Sequence, residues 1–83
     1  MDEMIRSILV EHGRLSCDVT QLADVADLYR VGLTSHSTVN VMLALEDTFE
    51  IEVPDHMLRK STFQSVAAIR AVVIRLMSHA ESA

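Results

Sequence analysis

The scarcity of glycine and proline constrains the fold of this chain more than any other feature of its sequence. Its 83 residues include two glycines and one proline, and aromatic residues make up only 4%. Leucine, valine, alanine, methionine and isoleucine are abundant instead. This composition favours helices over many short strands. We therefore expect an all-α protein.

The length sets the number of domains. A chain of 83 residues has no room for two domains, and folding buries only about 60% of the unfolded surface at this size. So small a core argues against an enzyme with its own enclosed active site. We expect a single domain over residues 1–83, with a flexible tail over 78–83.

Apolar residues recur at helical spacing in three segments, which predicts three main helices. The first extends from about Asp2 to His12, with Gly13 as its C-cap. The second begins near Ser35 and ends near Phe49. With the last helix described below, these segments predict a compact four-helix bundle of three main helices and one short one.

Pro54 ends the segment that follows the second helix, and Asp55 can cap a short helix. Ser61 or Thr62 is expected to cap the last helix, which runs to about Met77. The predicted buried residues are Met1, Met4, Ile5, Ile8 and Leu9 of the first helix, Thr38, Val41, Met42, Leu45 and Phe49 of the second, and Phe63, Val66, Ile69, Val73 and Leu76 of the last.

Residues 14–34 form a long connection between the first two helices. It holds too many apolar residues for a solvated loop, so we expect it to pack on the bundle, with a short helical turn near residues 20–28. The apolar residues of this connection are Leu22, Val25, Leu28, Val31 and Leu33.

Charge narrows the choice of partner. Seven lysine and arginine residues stand against twelve aspartate and glutamate residues, for a net charge of −5. Such a chain repels phosphate backbones and anionic lipids, so we expect neither nucleic acid nor a membrane as partner. A protein partner with a basic patch fits better.

The single cysteine, Cys17, excludes an internal disulfide framework and fits a reducing compartment. Charged residues interrupt the apolar residues at the N-terminus, so no signal peptide is visible. Arg70 and Arg75 cut the longest apolar run well below the ~20 residues that span a bilayer. We expect a cytoplasmic monomer.

The residues of catalytic and metal sites do not stand at the required spacings. The four histidines form no i, i+4 pair, and a second cysteine for a zinc set is missing. Ser35 and His36 are neighbours, but adjacent helical residues point about 100° apart and do not face each other. The sequence therefore predicts no catalytic residues, no metal ligands and no enzyme.

Ser35 nevertheless stands out because it lies where a helix begins. Taken alone, it is most simply an N-cap, since serine is common at that position. A helix start also presents free backbone N–H groups and a positive dipole end, which favour a phosphate group. Gly32, shortly before it, leaves room for an enzyme to approach the hydroxyl.

Three segments resemble motifs of the acyl and peptidyl carrier proteins. Residues 32–39 read G-L-T-S-H-S-T-V, which is similar to the carrier motif G-x-D-S-L-x-T-V. A-L-E-D at residues 44–47 and F-E-I-E-V-P-D at 49–55 resemble the continuation A-L-E-x-x-F-x-I-E-I-P-D. S-T-F-Q-S-V at residues 61–66 resembles the start of that family's last helix.

This resemblance implies a four-helix bundle of the acyl carrier protein type. It also implies that Ser35 is joined through a phosphodiester to 4′-phosphopantetheine as a covalent cofactor. The terminal thiol of that arm holds a cargo as a thioester and carries it between enzymes. A phosphopantetheinyl transferase is then a partner, and the protein is a carrier and substrate rather than a catalyst.

The departures from the motif point to a subgroup. Thr34 and His36 replace the usual aspartate and leucine, and Ser37 and Asn40 stand at usually acidic positions. This argues against a fatty-acid synthase partner, which docks on acidic carrier residues. The variant is similar to small bacterial aminoacyl carrier proteins. Stand-alone amino acid:carrier protein ligases related to seryl-tRNA synthetases load those carriers with small amino acids.

Helix two carries two apolar residues, Val39 and Leu43, on the side that should face water. Together with His36 and Asn40 beside Ser35, they form the expected partner-binding surface, because a ligase must grip the carrier near the root of the arm.

Two alternatives remain open at this point. One is a carrier of fatty-acid or polyketide intermediates. The other is a helical adaptor that is never modified. The identity of the cargo and the downstream acceptor enzyme do not follow from the sequence.

Overall fold

The computed structural model describes residues 1–82, and the side chains of residues 1–78. The described residues form three α-helices joined by short helical turns, and they contain no β-strand. Helix α1 is Asp2–Ile8, α2 is Ser35–Phe49 and α3 is Val66–Ser82. This confirms the predicted all-α class, and the bounds of α2 agree with those expected from the sequence.

Helix α1 does not end at Gly13. It widens after Ile8 into a π-helical turn, Leu9–Gly13, and Arg14 then takes the left-handed conformation with φ 53°. The predicted C-cap at Gly13 is therefore wrong by one residue. Gly13 lies inside the π-turn and is buried, and a Cβ atom there would be in ordinary contact with Leu9 and Leu33.

The inward side of α1 is narrower than its sequence suggests. Ile5, Ile8 and Leu9 are buried, whereas Met1 and Met4 are exposed. Met1 is the N-cap residue, and Met4 lies at the edge of the buried side, beyond Ile8 as seen from Ile5. The prediction that Met1 and Met4 are buried is wrong.

The long connection packs on the bundle, as expected, but with two 3₁₀ turns in place of one. These turns are Val19–Gln21 and Leu28–Val31, and they lie at the two ends of the segment where a single turn was predicted. Leu28 is fully buried and Leu33 nearly so. Val25 is 80% exposed, so its predicted burial against the bundle is wrong.

Two arginines hold this connection against α1 and α3. The guanidinium of Arg6 donates to the carbonyl oxygens of Val19 and Leu22 and to the Asp24 carboxylate, at 2.7 Å in the last case. Arg70 of α3 donates to the other carboxylate oxygen of Asp24 at 3.2 Å. The loop is thereby fixed to both helices by one carboxylate.

The segment before α3 differs from the expected short helix. It consists of two 3₁₀ turns, Asp55–Met57 and Lys60–Phe63. Helix α3 begins only at Val66, and the Ser65 hydroxyl caps it by accepting the Ala68 N–H at 3.1 Å. Ser61 and Thr62 are therefore not its caps.

The turn at Lys60–Phe63 places Phe63 in the core before the helix starts. Helix α3 itself continues past the predicted end at Met77 to Ser82. Ala83 lies outside the described residues, so the flexible tail over 78–83 stays a prediction.

The core lies where the three helices and the anchored connection meet. Leu76 and Phe49, both predicted to be buried, are only half-buried. Within the described chain, no helix is long and apolar enough to cross a bilayer. The fully buried side chains are Ile5, Leu9, Val19, Leu28, Val41, Leu45, Val66, Ile69 and Val73.

The two phenylalanines should differ in their contribution to stability. Phe63 is 3% exposed, so Phe63→Ala should lower the free energy of unfolding by about 3–5 kcal/mol. Phe49 is only half-buried, and Phe49→Ala should cost clearly less. Denaturant unfolding of both variants measures the difference. Equal losses would contradict the different burial of the two rings.

Stability should depend on pH through Asp24. Hydrogen bonds from Arg70 and Arg6 lower the pKa of its carboxyl below the ordinary value of 3.8. The unfolded chain therefore takes up the proton first as the pH falls. The stabilisation from Asp24 is complete well above pH 3.8 and is lost as the pH falls through the lower, folded-state pKa. Asp24→Asn should destabilise the protein at pH 7 and flatten the acid part of its stability profile.

Asp18 provides the comparison for this measurement. Hydrogen bonds from the Thr20 hydroxyl and N–H lower the pKa of its carboxyl too, but no arginine is involved. Asp18→Asn should therefore leave the arginine-dependent part of the acid profile in place. An acid profile that is the same for wild type and Asp24→Asn would contradict the role given to Asp24.

Candidate functional site

Ser35 is the first residue of α2, and Thr34, not Ser35, is the N-cap of that helix. The Thr34 hydroxyl accepts the Ser37 N–H at 3.1 Å and also lies 3.1 Å from the Ser37 hydroxyl, to which it donates. Thr34 has the extended conformation that an N-cap requires. The Ser35 side chain is thus not needed to cap the helix.

The hydroxyl of Ser35 faces solvent. Among the described residues, no side chain or backbone group forms a hydrogen bond with it. Ser37, the other serine of this turn, is 4% exposed and bound to Thr34. Of the two serines, only Ser35 therefore offers its hydroxyl to another molecule.

Backbone N–H groups at this helix start are also available. The first backbone hydrogen bond of α2 runs from the Thr38 N–H to the Thr34 carbonyl at 2.8 Å. The N–H groups of Ser35 and His36 precede it and have no partner within the helix. The first turn contains no acidic residue. An anion on Ser35 would meet N–H donors and a positive dipole end there.

Gly32, three residues before Ser35, has a conformational role in the backbone. It ends the turn Leu28–Val31 with φ 116°, a conformation that side chains rarely permit. A Cβ atom there would lie 3.5–3.6 Å from backbone atoms of Ser16 and Arg14. These are ordinary contact distances, so it is the positive φ of the turn that favours glycine here, in addition to the access expected from the sequence.

A groove of about 570 Å³ begins at Ser35 and runs between α2 and the two turns before α3. Its α2 side includes Thr38, Val39 and Met42, and its far side includes Leu58 and Phe63. Tyr29 closes one side, with its hydroxyl 3.5 Å from that of Thr38. We call this the arm groove.

The charged residues of the arm groove are both basic. Arg59 and Lys60 line it, and the Lys60 ammonium lies 4.9 Å from the centre of the Tyr29 ring. Sequence reasoning did not connect these residues with Ser35, because they are distant along the chain and only the fold brings them into one groove. A mostly apolar groove with two cations can hold a pantetheine chain and its phosphate.

The residues predicted to bind a partner lie together on α2. His36 and Asn40 are exposed, and Val39 and Leu43 are 51% and 54% exposed. Helical spacing places all four on one side of α2 with Ser35. We call Ser35, His36, Val39, Asn40 and Leu43 the docking ridge. Among the described side chains, no group of three or more potential metal ligands comes together.

The sequence of this site belongs to a known family. The family model described as "Phosphopantetheine attachment site" matches residues 12–70, a range that includes α2 and the whole arm groove. The chain therefore belongs to the phosphopantetheine-binding carrier proteins, whose cofactor is covalently attached phosphopantetheine.

Two relatives specify the kind of carrier. The aminoacyl carrier protein of Agrobacterium fabrum is 41% identical over 83 residues, which cover both chains completely. Aminoacyl carrier protein 1 of Bradyrhizobium diazoefficiens is 35% identical over 81 residues, or 98% of this chain and 86% of that protein. Within the family, the function of this chain is that of an aminoacyl carrier, which holds its cargo as a thioester and is not a catalyst.

A solved structure agrees in fold. It is the crystal structure of an engineered Bradyrhizobium japonicum glycine:[carrier protein] ligase complexed with a carrier protein from Agrobacterium tumefaciens and AMP. The match has a TM-score of 0.86 and 43% identity, and it covers 89% of this chain and 99% of the other. The comparisons favour the aminoacyl carrier over a fatty-acid or polyketide carrier and over an unmodified adaptor.

Proposed function

We propose that Ser35 is the residue that bears the phosphopantetheine arm of this aminoacyl carrier. The observation that carries the proposal is the contrast within one helical turn: Ser35 exposes its hydroxyl, while Ser37 is buried and bound to Thr34. A phosphopantetheinyl transferase can reach the first hydroxyl without unfolding the helix.

Residues around Ser35 then have defined tasks. The N–H groups at the start of α2 receive the phosphate, and Arg59 and Lys60 make the arm groove attractive to its negative charge. The apolar wall of the groove, which includes Val39 and Met42, can cover the pantetheine chain. The arm itself supplies the thiol that forms the thioester.

The cargo that we propose is a small amino acid, loaded by a stand-alone amino acid:carrier protein ligase. Support comes from the related Agrobacterium carrier, which is bound by a glycine:[carrier protein] ligase in the complex described above.

We further propose that the carrier acts as a cytoplasmic monomer. An exposed single cysteine, Cys17, fits a reducing compartment. The loaded carrier would deliver its amino acid to a downstream acceptor enzyme.

Attachment of the arm tests the role of Ser35. We expect wild type to gain the mass of one phosphopantetheine when incubated with coenzyme A and a phosphopantetheinyl transferase, and Ser35→Ala to gain none. Helicity should change little in Ser35→Ala because Thr34 keeps the cap. The measurement is intact-protein mass spectrometry with circular dichroism alongside.

Ser37→Ala is the matched control for this experiment. It removes the other serine of the same turn and should still accept the arm, although it loses the hydrogen bond that the Ser37 hydroxyl accepts from Thr34. Addition of the arm to Ser35→Ala, or its loss from a folded Ser37→Ala, would refute the assignment.

We also propose that the ligase docks on the docking ridge. Val39 and Leu43 already lose about half of their exposure within the carrier. Complete burial of such side chains contributes about 1.5–3 kcal/mol, so covering the remainder contributes roughly 1 kcal/mol for each. The ridge carries no carboxylate, and binding should therefore rest mainly on apolar burial.

Leu43→Ala tests this docking surface. We expect it to weaken ligase binding by about fivefold, the equivalent of roughly 1 kcal/mol. Ile74→Ala is a matched control, since Ile74 is 49% exposed but lies on α3. Wild-type affinity should fall only slightly as salt is raised. A steep fall with salt, together with unchanged binding by Leu43→Ala, would contradict docking through the ridge.

A further inference from the structure

The arm groove carries positive charge that no carboxylate neutralises. Arg59 and Lys60 line it, and no aspartate or glutamate of the described chain does. Among the described side chains, neither of these cations forms an ion pair with a carboxylate. Both residues are exposed, so their charges act on any group that enters the groove.

Tyr29 holds one of these charges beside the groove. The Lys60 ammonium lies 4.9 Å from the centre of the Tyr29 ring, within the range of a cation–π contact. The hydroxyl of the same ring lies 3.5 Å from that of Thr38 on α2. The ring therefore stands between α2 and the turn that contains Lys60, and the cation stays at the wall of the groove.

An unloaded arm and a loaded arm differ in charge. The phosphodiester on Ser35 is an anion, and the pantetheine chain beyond it is neutral and ends in a thiol. An aminoacyl thioester adds an α-ammonium group, which is charged near neutral pH because the pKa of an α-amino group is about 7.7–8.0. In the groove this ammonium would meet two cations and only one anion, the phosphodiester. It would also leave water without a carboxylate to pair with.

We infer that Arg59 and Lys60 make the arm groove selective for the charge of the cargo. The groove retains the arm when it is unloaded or carries a neutral group, and it rejects an arm that ends in an ammonium group. This inference rests on the proposed function, because it needs the arm on Ser35 and an amino acid as cargo. Loading then moves the arm from the groove into solvent, where an acceptor enzyme can reach the thioester.

The same selection separates an amino acid from a wrong cargo. A neutral acyl group such as acetyl has no ammonium, and it can lie against the apolar walls that include Val39, Met42 and Leu58. Its thioester stays covered, whereas the aminoacyl thioester is presented. Arg59 and Lys60 are therefore specificity-determining residues that act on the presentation of the cargo and not on its loading.

Two arms of equal size and different charge test the inference. Coenzyme A analogues and a phosphopantetheinyl transferase supply an arm that ends in a glycyl group and one that ends in a hydroxyacetyl group, both joined by a stable amide in place of the thioester. The cargoes differ only by an ammonium against a hydroxyl group. The readout is the change in NMR chemical shift of the methyl groups of Val39, Met42 and Leu58 relative to the carrier without an arm. It is measured at about pH 6, where the amine is protonated.

We expect the hydroxyacetyl arm and the unloaded thiol arm to shift these methyl signals clearly more than the glycyl arm does. Repulsion by two nearby cations should lower the ratio of groove-bound to released arm by about threefold or more. In the double variant Arg59→Gln/Lys60→Gln, the glycyl and hydroxyacetyl arms should give the same shift changes. Arg75→Gln is the matched control, because it removes an exposed arginine that does not line the groove, and the difference between the arms should remain.

The outcomes separate the inference from the proposed function. Equal shift changes from the glycyl and hydroxyacetyl arms in wild type would overturn the inference, and so would a difference that persists in the folded double variant. The absence of any shift change with the hydroxyacetyl and thiol arms would also overturn it, because the groove would then hold no arm.

A single variant keeps the test decisive if the double variant does not fold. Arg59→Gln leaves the contact between Lys60 and Tyr29 in place and should narrow the difference between the two arms. An unchanged difference in this variant would overturn the inference. Failure of the transferase to attach any arm to Ser35, or of the ligase to load an amino acid, would instead overturn the proposed function.

Discussion

The contacts of Arg6 hold the functional end of this protein in place. Its guanidinium joins α1 to three points on the connection that leads to α2, namely Val19, Leu22 and Asp24. Asp24 is shared with Arg70 of α3. The connection is thereby fixed at its middle, and the buried Leu28 and Leu33 extend the anchorage towards Ser35. A helix start at the end of a free loop of about 20 residues would have no defined position relative to the arm groove.

The elements that the sequence predicted well are those whose pattern is local. Helix α2 combines a cap residue, a helical period and a clear end, and its bounds and the exposure of Val39 and Leu43 follow from these features alone. The carrier family was recognisable because its motifs are short continuous stretches of sequence, which occur here between residues 32 and 66. The predicted start of α3 was wrong, because Ser61 and Thr62 are suitable caps in sequence but lie within a 3₁₀ turn that ends at the buried Phe63, and Ser65 caps the helix instead.

The charged residues that surround the site could not be predicted from local sequence patterns. Arg59 and Lys60 reach the arm groove through the fold of the turns before α3, and Glu11 of the π-turn lines one surface pocket with Asp47 of α2. A π-turn leaves no distinct mark on hydrophobic periodicity. The charge pattern on the two sides of the docking ridge is a product of tertiary structure, although every residue that creates it is plainly visible in the chain.

The neutral cap at Thr34 has a thermodynamic consequence. Carriers that match the motif G-x-D-S-L-x-T-V have a carboxylate at this position, and that charge already balances the positive end of the helix. Here the first turn of α2 contains no acidic residue. A phosphodiester on Ser35 would then be the first anion at this helix end, and such an anion stabilises a helix by about 0.3–1 kcal/mol. With the arm on Ser35, as proposed, modification and folding would be coupled: the bare chain would be the less stable form, and the arm would strengthen the helix from which it extends.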